Sequence, residues 1–413
     1  MSIIPPNDPP NLSRPIEPAT RGPIFIIGSP RSGTSILTWC LGQHPNILPL
    51  EESNWMAPFT YDAAIAFRRG AQRGERSQLA SMGISLGVFL ESFGQSVNQI
   101  ILGHSETFEA QRIHAAINDR SAAHPAFKIR RDQAQAKSRW INGTPEYSFG
   151  VCGLRKLFPA AKFIHLLREC DQVVTSMLNF DQVAGFKLAA TAKEGYQTWM
   201  EYVCACLNAE KAYGPDVVCR IFHHQLIQEP EKIIRRLLEF VDESFAPVCL
   251  EPLGERINSS NTEENQATDS ILDFPEITKA HELWENVATT SPPSSASPEA
   301  AAALEEEFER RVTYLENLES EIRRAREALT GLQKEFKERT EWALKLNQQL
   351  EEKKRQLFDL QAEFAERTAW ALALRDQVGQ KDDLITKLQA ELQGKEELVR
   401  ALEAKLSGAK TDS

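Results

Sequence analysis

Short apolar segments alternate with helical patterns between residues 21 and 285. Three of these segments are mostly apolar and of strand length, namely Pro23–Gly28, Ala161–Leu167 and Asp216–Phe222. Runs without polar alternation are typical of strands buried on both faces of a parallel sheet. Glu231–Val241 instead has apolar residues at helical spacing. Strands separated by helices predict an α/β domain with a parallel sheet flanked by helices.

The last hundred residues follow a seven-residue repeat with apolar residues at its first and many of its fourth positions. This heptad pattern runs from Leu304 to Leu406, and leucine alternates with lysine or arginine at the fourth position in its later half. The stretch LQKEFKERTEWALKLNQQL (332–350) recurs 28 residues later (360–378), which is four heptads and preserves the register. Sustained heptads predict a coiled coil. We expect residues 303–407 to form a parallel homo-oligomer, either a dimer or a trimer.

The chain therefore divides by composition as well as by pattern. Residues 1–20 hold six of the 22 prolines, and the stretch before the heptads is rich in Pro, Ser and Ala. The predicted division is a disordered tail (1–20), an α/β domain (21–285), a linker (286–302), a coiled coil (303–407) and a short tail (408–413). We also expect a chain cut after about residue 300 to be monomeric and active.

Composition restricts the possible partners and the cellular compartment. The net charge of −11 argues against sequence-independent binding of nucleic acid, which needs a broad basic surface. No apolar run approaches the ~18 residues that cross a bilayer, and the N-terminus lacks the pattern of a secretory signal. Seven cysteines without regular spacing argue against a disulfide framework. These features predict a cytoplasmic protein, either free or peripheral at the inner face of a membrane, with no metal site.

The segment Gly28–Ser35 (GSPRSGTS) lies between the first predicted strand and a predicted helix. A strand, a glycine-containing turn and a helix N-terminus present free backbone N–H groups to an anion. Arg31 adds a cation that pairs well with phosphate or sulfate. The spacing is close to that of a nucleoside-triphosphate loop, but Thr34 stands in the place of the lysine. A nucleotide kinase is therefore a less favoured alternative, as is a purely structural turn.

A second anion-binding group is predicted where another buried strand ends, at Arg168. Ser176 lies eight residues further on, within the first turns of a predicted helix. Two such groups on one parallel sheet suggest a ligand with two separated phosphate groups. The alternative is that Arg168 is an ordinary surface residue.

Together, SPRSGTS and FIHLLREC–DQVVTSMLNF resemble the two signature elements of sulfotransferases that use 3′-phosphoadenosine 5′-phosphosulfate (PAPS). The resemblance covers residues 22–262, including Arg256–Asn261 near its end. It implies a P-loop-like fold and no metal. It also implies that one set of residues binds the 5′-phosphosulfate and another the 3′-phosphate: Arg31, Ser32, Gly33, Thr34 and Ser35 for the first, and Arg168 and Ser176 for the second.

The chain departs from the family pattern at two places. Many relatives have Arg-Asp-Pro after the second strand, whereas this chain has Arg168-Glu169-Cys170. Many relatives also have a lysine before Thr-Pro, where this chain has Asn142-Gly143. Asn142 and Gly143 cannot supply the charge of that lysine.

Two adjacent carboxylates, Glu51 and Glu52, are the candidates for a general base. In-line sulfuryl transfer needs a base near the sulfate to accept the proton of the acceptor hydroxyl. In protein-tyrosine and several carbohydrate sulfotransferases a glutamate at this distance from the loop has that role. By this resemblance Glu52 is the first candidate and Glu51 the second, and Arg31 stabilises the developing charge. The alternative is that both glutamates are solvent-facing loop charges.

The resemblance implies a PAPS-dependent sulfotransferase that acts on a hydroxyl or an amine. The repeat in the coiled coil resembles those of bacterial surface-polysaccharide enzymes, so a glycan is the first candidate acceptor and other glycan-assembly enzymes are candidate partners. Two alternatives remain open. One is a catalytically inactive anion-binding scaffold that acts through its coiled coil, and the other is the nucleotide kinase.

Overall fold

A computed structural model describes residues 21–118, 136–180, 187–254 and 274–408. The predicted tail at 1–20, the segment Arg256–Asn261 and the residues after 408 lie outside the described part. The chain divides into two compact units, Met1–Glu319 and Ser320–Ser413. Each is described by itself.

The first unit is built on a sheet of five parallel strands in the order β2-β3-β1-β4-β5. The strands are β1 (Ile24–Ile27), β2 (Ile47–Pro49), β3 (Arg139–Asn142), β4 (Lys162–Leu167) and β5 (Val218–Phe222). The three runs predicted from the sequence contain β1, β4 and β5. Their mostly apolar character reflects burial on both faces of the sheet. Residues of β1, for example, alternate between two apolar clusters, with Phe25 in one and Ile26 in the other.

Helices cover both faces of the sheet. Those of the described part of the first unit are α1 (Thr34–Gly42), α2 (Met56–Ala71), α3 (Gln78–Ser81), α4 (Leu86–Gly103), α5 (Ser105–Asn118), α6 (Val151–Leu157), α7 (Cys170–Leu178), α8 (Ala192–Tyr213), α9 (His223–Gln228), α10 (Pro230–Phe240) and α11 (Pro275–Thr289). Short 3₁₀ helices lie at Gly74–Arg76, Pro145–Phe149 and Pro247–Gly254. The predicted α/β fold with a helix-flanked parallel sheet is confirmed.

Strand register determines where the two predicted anion-binding groups lie. β1 and β4 are neighbours, and Ile27 at the end of β1 pairs with His165. The loop after β1 and the residues after Leu167 therefore leave the sheet at the same edge. Parallel α/β sheets bind ligands at this carboxyl edge.

The last helix, α12, extends from Pro298 to Gly408 and confirms the predicted long C-terminal helix. It begins five residues before the predicted start of the coiled coil, and its turns up to Glu319 belong to the first unit. Part of the predicted linker is held in place: Arg220 Nη1 donates to the Thr290 carbonyl at 3.1 Å, and the Ser297 amide donates to the Lys211 carbonyl at 2.9 Å.

The second unit consists of the remainder of α12. Within the described residues, no helix of the chain is long and apolar enough to cross a membrane.

Candidate functional site

The loop between β1 and α1 has a conformation that requires glycine at two places. Gly28 has φ +151° and Gly33 has φ +100°. A Cβ at Gly28 would lie 2.5 Å from the Leu166 carbonyl oxygen, and one at Gly33 would lie 2.9 Å from Cδ2 of His223. Arg31, between them, has φ +69°, a conformation that costs a non-glycine residue energy. The loop is therefore tightly curled against the ends of the neighbouring strands.

The two predicted anion-binding groups contact each other directly. Arg31 Nε donates to Ser176 Oγ at 3.0 Å, and Arg168 Nη1 donates to the Arg31 carbonyl at 3.0 Å. The Arg31 guanidinium also lies over the ring of Phe180, 4.6 Å from its centre. Ser176 thus contacts Arg31, although the family resemblance implies that it acts with Arg168.

The electrostatics of this pair favour an anion. Burial lowers the pKa of Arg168, and the nearby charge of Arg31 lowers it further. Burial also lowers the pKa of Arg31, although the carboxylate of Glu52 acts against this. Both side chains stay charged near neutral pH, because an arginine starts from a pKa far above it. Two partly desolvated cations at one edge of the sheet are stabilised when a phosphate or sulfate lies beside them.

The two candidate bases have different surroundings. Ser35, in the first turn of α1, donates its hydroxyl to Glu52 Oε1 at 2.7 Å. Glu51 instead pairs with Arg112, whose Nη2 lies 3.0 Å from Glu51 Oε1. Nη1 of the same arginine donates to the Pro49 carbonyl at 3.2 Å. Glu52 is therefore the carboxylate at the anion-binding loop, and Glu51 lies against α5.

The backbone around Glu52 is held by residues that follow β3. Asn142 Nδ2 donates to the Glu51 carbonyl at 3.2 Å, and the Ser53 amide donates to Thr144 Oγ1 at 2.8 Å. Tyr147 Oη donates to the Ser53 carbonyl at 2.5 Å. These bonds hold the backbone of the glutamate loop and do not involve its carboxylates.

The remaining loop residues are distributed between the interior and the site. Ser32 and Thr34 are buried side chains, so their contribution to an anion would be mainly their backbone N–H groups. The Gly28 amide donates to Ser148 Oγ at 3.0 Å, which ties the loop to the 3₁₀ helix after β3. The predicted roles of Arg31, Ser32, Gly33, Thr34, Ser35, Glu51, Glu52, Arg168 and Ser176 stay predictions.

His223, which is not among the predicted site residues, lies at the same edge of the sheet. It is the first residue of α9, directly after β5, and its ring lies against Gly33. Burial, followed by the charges of Arg168 and His224, lowers the pKa of His223 to about 4, so it is neutral near pH 7. Its position directly after a third buried strand is the signal that could have identified it.

One group in the described part of the chain has the side chains of a metal site. Ligand atoms of Cys170, Asp171 and His281 lie within 4.8 Å of one another. Asp171 Oδ1 accepts hydrogen bonds from Tyr196 Oη at 2.6 Å and from His281 Nε2 at 2.8 Å, so the cluster is already hydrogen-bonded. The predicted absence of a metal from the catalytic site stays a prediction.

Comparisons with known proteins find a matching family model and similar sequences. A family model described as the sulfotransferase family matches residues 23–247. Protein-tyrosine sulfotransferase A of Caenorhabditis elegans is 23% identical over 246 residues, which are 59% of this chain and 56% of that protein. Protein-tyrosine sulfotransferase 1 of Danio rerio is 26% identical over 258 residues, which are 60% of this chain and 62% of that protein.

A solved structure was also found, the sulfotransferase domain from the curacin biosynthetic pathway. It is 17% identical, with a TM-score of 0.39, and the alignment covers 66% of this chain and 99% of that domain. The chain spans little more than half the length of the nematode relative. The family model covers more than half of the 413 residues and includes both anion-binding groups. The chain therefore belongs to the sulfotransferase family.

Proposed function

We propose that this protein transfers a sulfuryl group from PAPS to an acceptor hydroxyl. The observation that carries the proposal is the direct contact between the two anion-binding groups, Arg31 with Ser176 and Arg168 with the loop backbone. A nucleotide with phosphate groups on both the 3′ and 5′ positions of one ribose needs two cationic sites at one edge of the sheet. The residues present fit such a nucleotide, and the glycines of the loop allow close approach of its anionic groups.

Each residue has a definite role in this reaction. Arg31 and the N–H groups of Ser32–Ser35 would hold the 5′-phosphosulfate, and Arg168 with Ser176 the 3′-phosphate. When bound, the nucleotide supplies the sulfuryl group. Glu52 accepts the proton of the acceptor hydroxyl as the new oxygen–sulfur bond forms. The bond from sulfur to the phosphate oxygen breaks, and Arg31 stabilises the charge that develops on that oxygen.

The test measures thermal stabilisation by nucleotides. We expect 3′-phosphoadenosine 5′-phosphate (PAP) to stabilise the protein more than ADP or GTP. Arg168→Ala should weaken PAP binding much more than binding of adenosine 5′-phosphosulfate, which lacks the 3′-phosphate. Arg235→Ala is the matched control, because this arginine forms an exposed ion pair on α10.

Other outcomes would identify a different function. Preference for ATP with magnesium would support the nucleotide kinase. The absence of any nucleotide effect would support a scaffold that acts through its helix. Equal losses for both adenosine ligands in Arg168→Ala would show that Arg168 does not recognise the 3′-phosphate.

Two acceptor classes have separate support. The repeat in the tail, similar to that of surface-polysaccharide enzymes, favours a glycan hydroxyl. The two relatives described above are named protein-tyrosine sulfotransferases, which favours a peptide tyrosine as a second candidate. Incubation with labelled PAPS and either a polysaccharide or a tyrosine-containing peptide distinguishes them by which product carries the label.

We also propose that α12 beyond Glu319 associates with further copies of this chain, and that the resulting rod serves as a spacer or docking element for other glycan-assembly enzymes. Its seam leucines are open to solvent in a single chain; Leu332, Leu350 and Leu360 are 62%, 51% and 62% exposed. Such a long apolar stripe is typical of an interaction surface.

Light scattering tests this association. We expect the full chain to have two or three times the mass of one copy at micromolar concentration. Glutamate at two seam positions, Leu346 and Leu350, should weaken association. Leu344→Glu, which lies off the seam, should not. A monomeric wild-type chain would contradict the coiled coil.

A further inference from the structure

The first turns of α12 are packed against the α/β domain. We call residues 304–319 the docking segment. Its apolar residues Leu304, Phe308, Val312 and Leu315 form one cluster with residues of α2 and α6. Phe308 is 3% exposed and Val312 is fully buried, whereas Phe336, at the same heptad position as Phe308, is 74% exposed. One face of the docking segment is therefore part of the apolar core of the first unit.

Phe308 contacts residues of both helices in this cluster. Its ring stacks on Tyr61 of α2, with ring centres 5.2 Å apart and planes at 28°. On the other side, Lys156 Nζ of α6 lies 5.4 Å from the centre of the Phe308 ring. A Cβ at Gly153 would lie 3.0 Å from Phe308, so a glycine there makes room for the ring. Phe308 thus lies between α2 and α6 and contacts both.

Ion pairs surround this apolar contact. Arg68 near the end of α2 pairs with Glu309 and with Glu316, the latter at 3.4 Å, and Arg69 pairs with Glu319 at 2.6 Å. On α6, Lys156 pairs with Glu305 at 2.5 Å. Pairs this exposed each contribute little to stability, but together they fix which face of the helix meets the domain. The acidic face of the docking segment therefore complements a basic surface on the domain.

The two helices that contact the docking segment, α2 and α6, each begin directly after a loop of the candidate site. α2 begins four residues after Glu52, and the Met56 amide donates to Tyr147 Oη at 3.3 Å. That hydroxyl in turn donates to the Ser53 carbonyl. α6 begins three residues after Ser148, whose Oγ accepts from the Gly28 amide. A shift of either helix would therefore move a loop of the site.

We propose that the docking segment is a positioning element of the candidate site, with Phe308 holding α2 and α6 in the arrangement that places Glu52 beside the anion-binding loop. The docking segment thus completes the α/β domain in addition to connecting it to the rest of α12. The proposal rests on the proposed function only for the chemical role of Glu52. The positions of the loops can be measured without a substrate.

The experiment is hydrogen exchange on the full chain, comparing Phe308→Ala with the matched control Phe336→Ala. We expect Phe308→Ala to speed amide exchange about tenfold or more in residues 50–60 and 145–155. The hydrogen bonds that protect these amides depend on the positions of α2 and α6, which the substitution loosens. Exchange in β1 and β4 should stay close to the wild-type rate. Phe336→Ala should leave all four stretches unchanged. Phe308→Leu, which keeps an apolar side chain, should restore most of the protection.

Several outcomes decide between this proposal and its alternatives. Unchanged exchange in residues 50–60 in Phe308→Ala would overturn it. Equal acceleration in β1 and β4 would also overturn it, because it would mean general loss of stability. If Phe308→Ala does not fold, the same comparison is made with Val312→Ala, which removes a smaller buried side chain from the same cluster. If the wild-type chain does not bind PAP, the proposed function is contradicted, but the exchange result still tests whether the docking segment positions the loops.

Discussion

Replacing Glu52 with glutamine is expected to lower the rate of sulfuryl transfer by ~10²–10⁴, the usual contribution of a general base. The amide cannot accept the proton of the acceptor hydroxyl. It has nearly the same shape as the carboxylate, and its oxygen can still accept the hydrogen bond from Ser35. The affinity for PAP should therefore change little. Initial rates at saturating PAPS, together with a separate titration of PAP, separate the two effects.

Glu51→Gln is the control that the structure provides. Its carboxylate pairs with Arg112 on α5, so this substitution should leave the rate within a few-fold of the wild type. An inactive Glu51→Gln enzyme together with an active Glu52→Gln enzyme would identify Glu51 as the base. A large loss of PAP affinity in Glu52→Gln would mean that the carboxylate organises the anion-binding loop.

A chain that ends at residue 303 is expected to be much less stable than one that ends at Glu319. The shorter chain loses Phe308 and Val312 and exposes their partners on α2 and α6, Ala64 and Cys152 among them. Removal of one large buried side chain costs ~3–5 kcal/mol. For a unit of this size that corresponds to a melting temperature lower by roughly 5–15 °C.

Melting curves of the two truncated chains, each with and without PAP, test this difference. The chain ending at Glu319 keeps the docking segment and should melt close to the first transition of the full chain. Equal melting temperatures for both truncations would show that the docking segment contributes nothing to the domain. Because the docking segment packs against α2 and α6, we expect the shortest stable truncation to end after Glu319 and not near residue 300.

The parts of the fold that were predictable are those whose signal is local. β1, β4 and β5 are mostly apolar because both faces of the sheet are covered, and α10 has a strongly amphipathic pattern. The glycines of the anion-binding loop could also be identified locally. Strand, turn and helix follow one another directly in that part of the chain.

The parts that were not predictable depend on contacts between distant residues. The bond between Arg31 and Ser176 joins positions 145 residues apart, and the packing of His223 on Gly33 depends on the order of the strands. The fully buried ion pair of Lys137 with Glu109 is likewise invisible in a pattern of polar residues. Val312 lies outside the first and fourth heptad positions, so the heptad gave no indication that it is buried against the domain.

Because α12 contains an internal repeat of 28 residues, the length of the tail can change in fixed steps. Excision of residues 332–359 would remove four complete heptads, so Leu360 would take the place of Leu332 and every later seam residue would keep its phase. At 1.5 Å per residue, one such unit changes the length of the rod by about 42 Å. Loss or gain of a whole unit leaves the docking segment intact. The distance between the two ends of the tail can therefore be reset in fixed increments while the catalytic machinery stays the same.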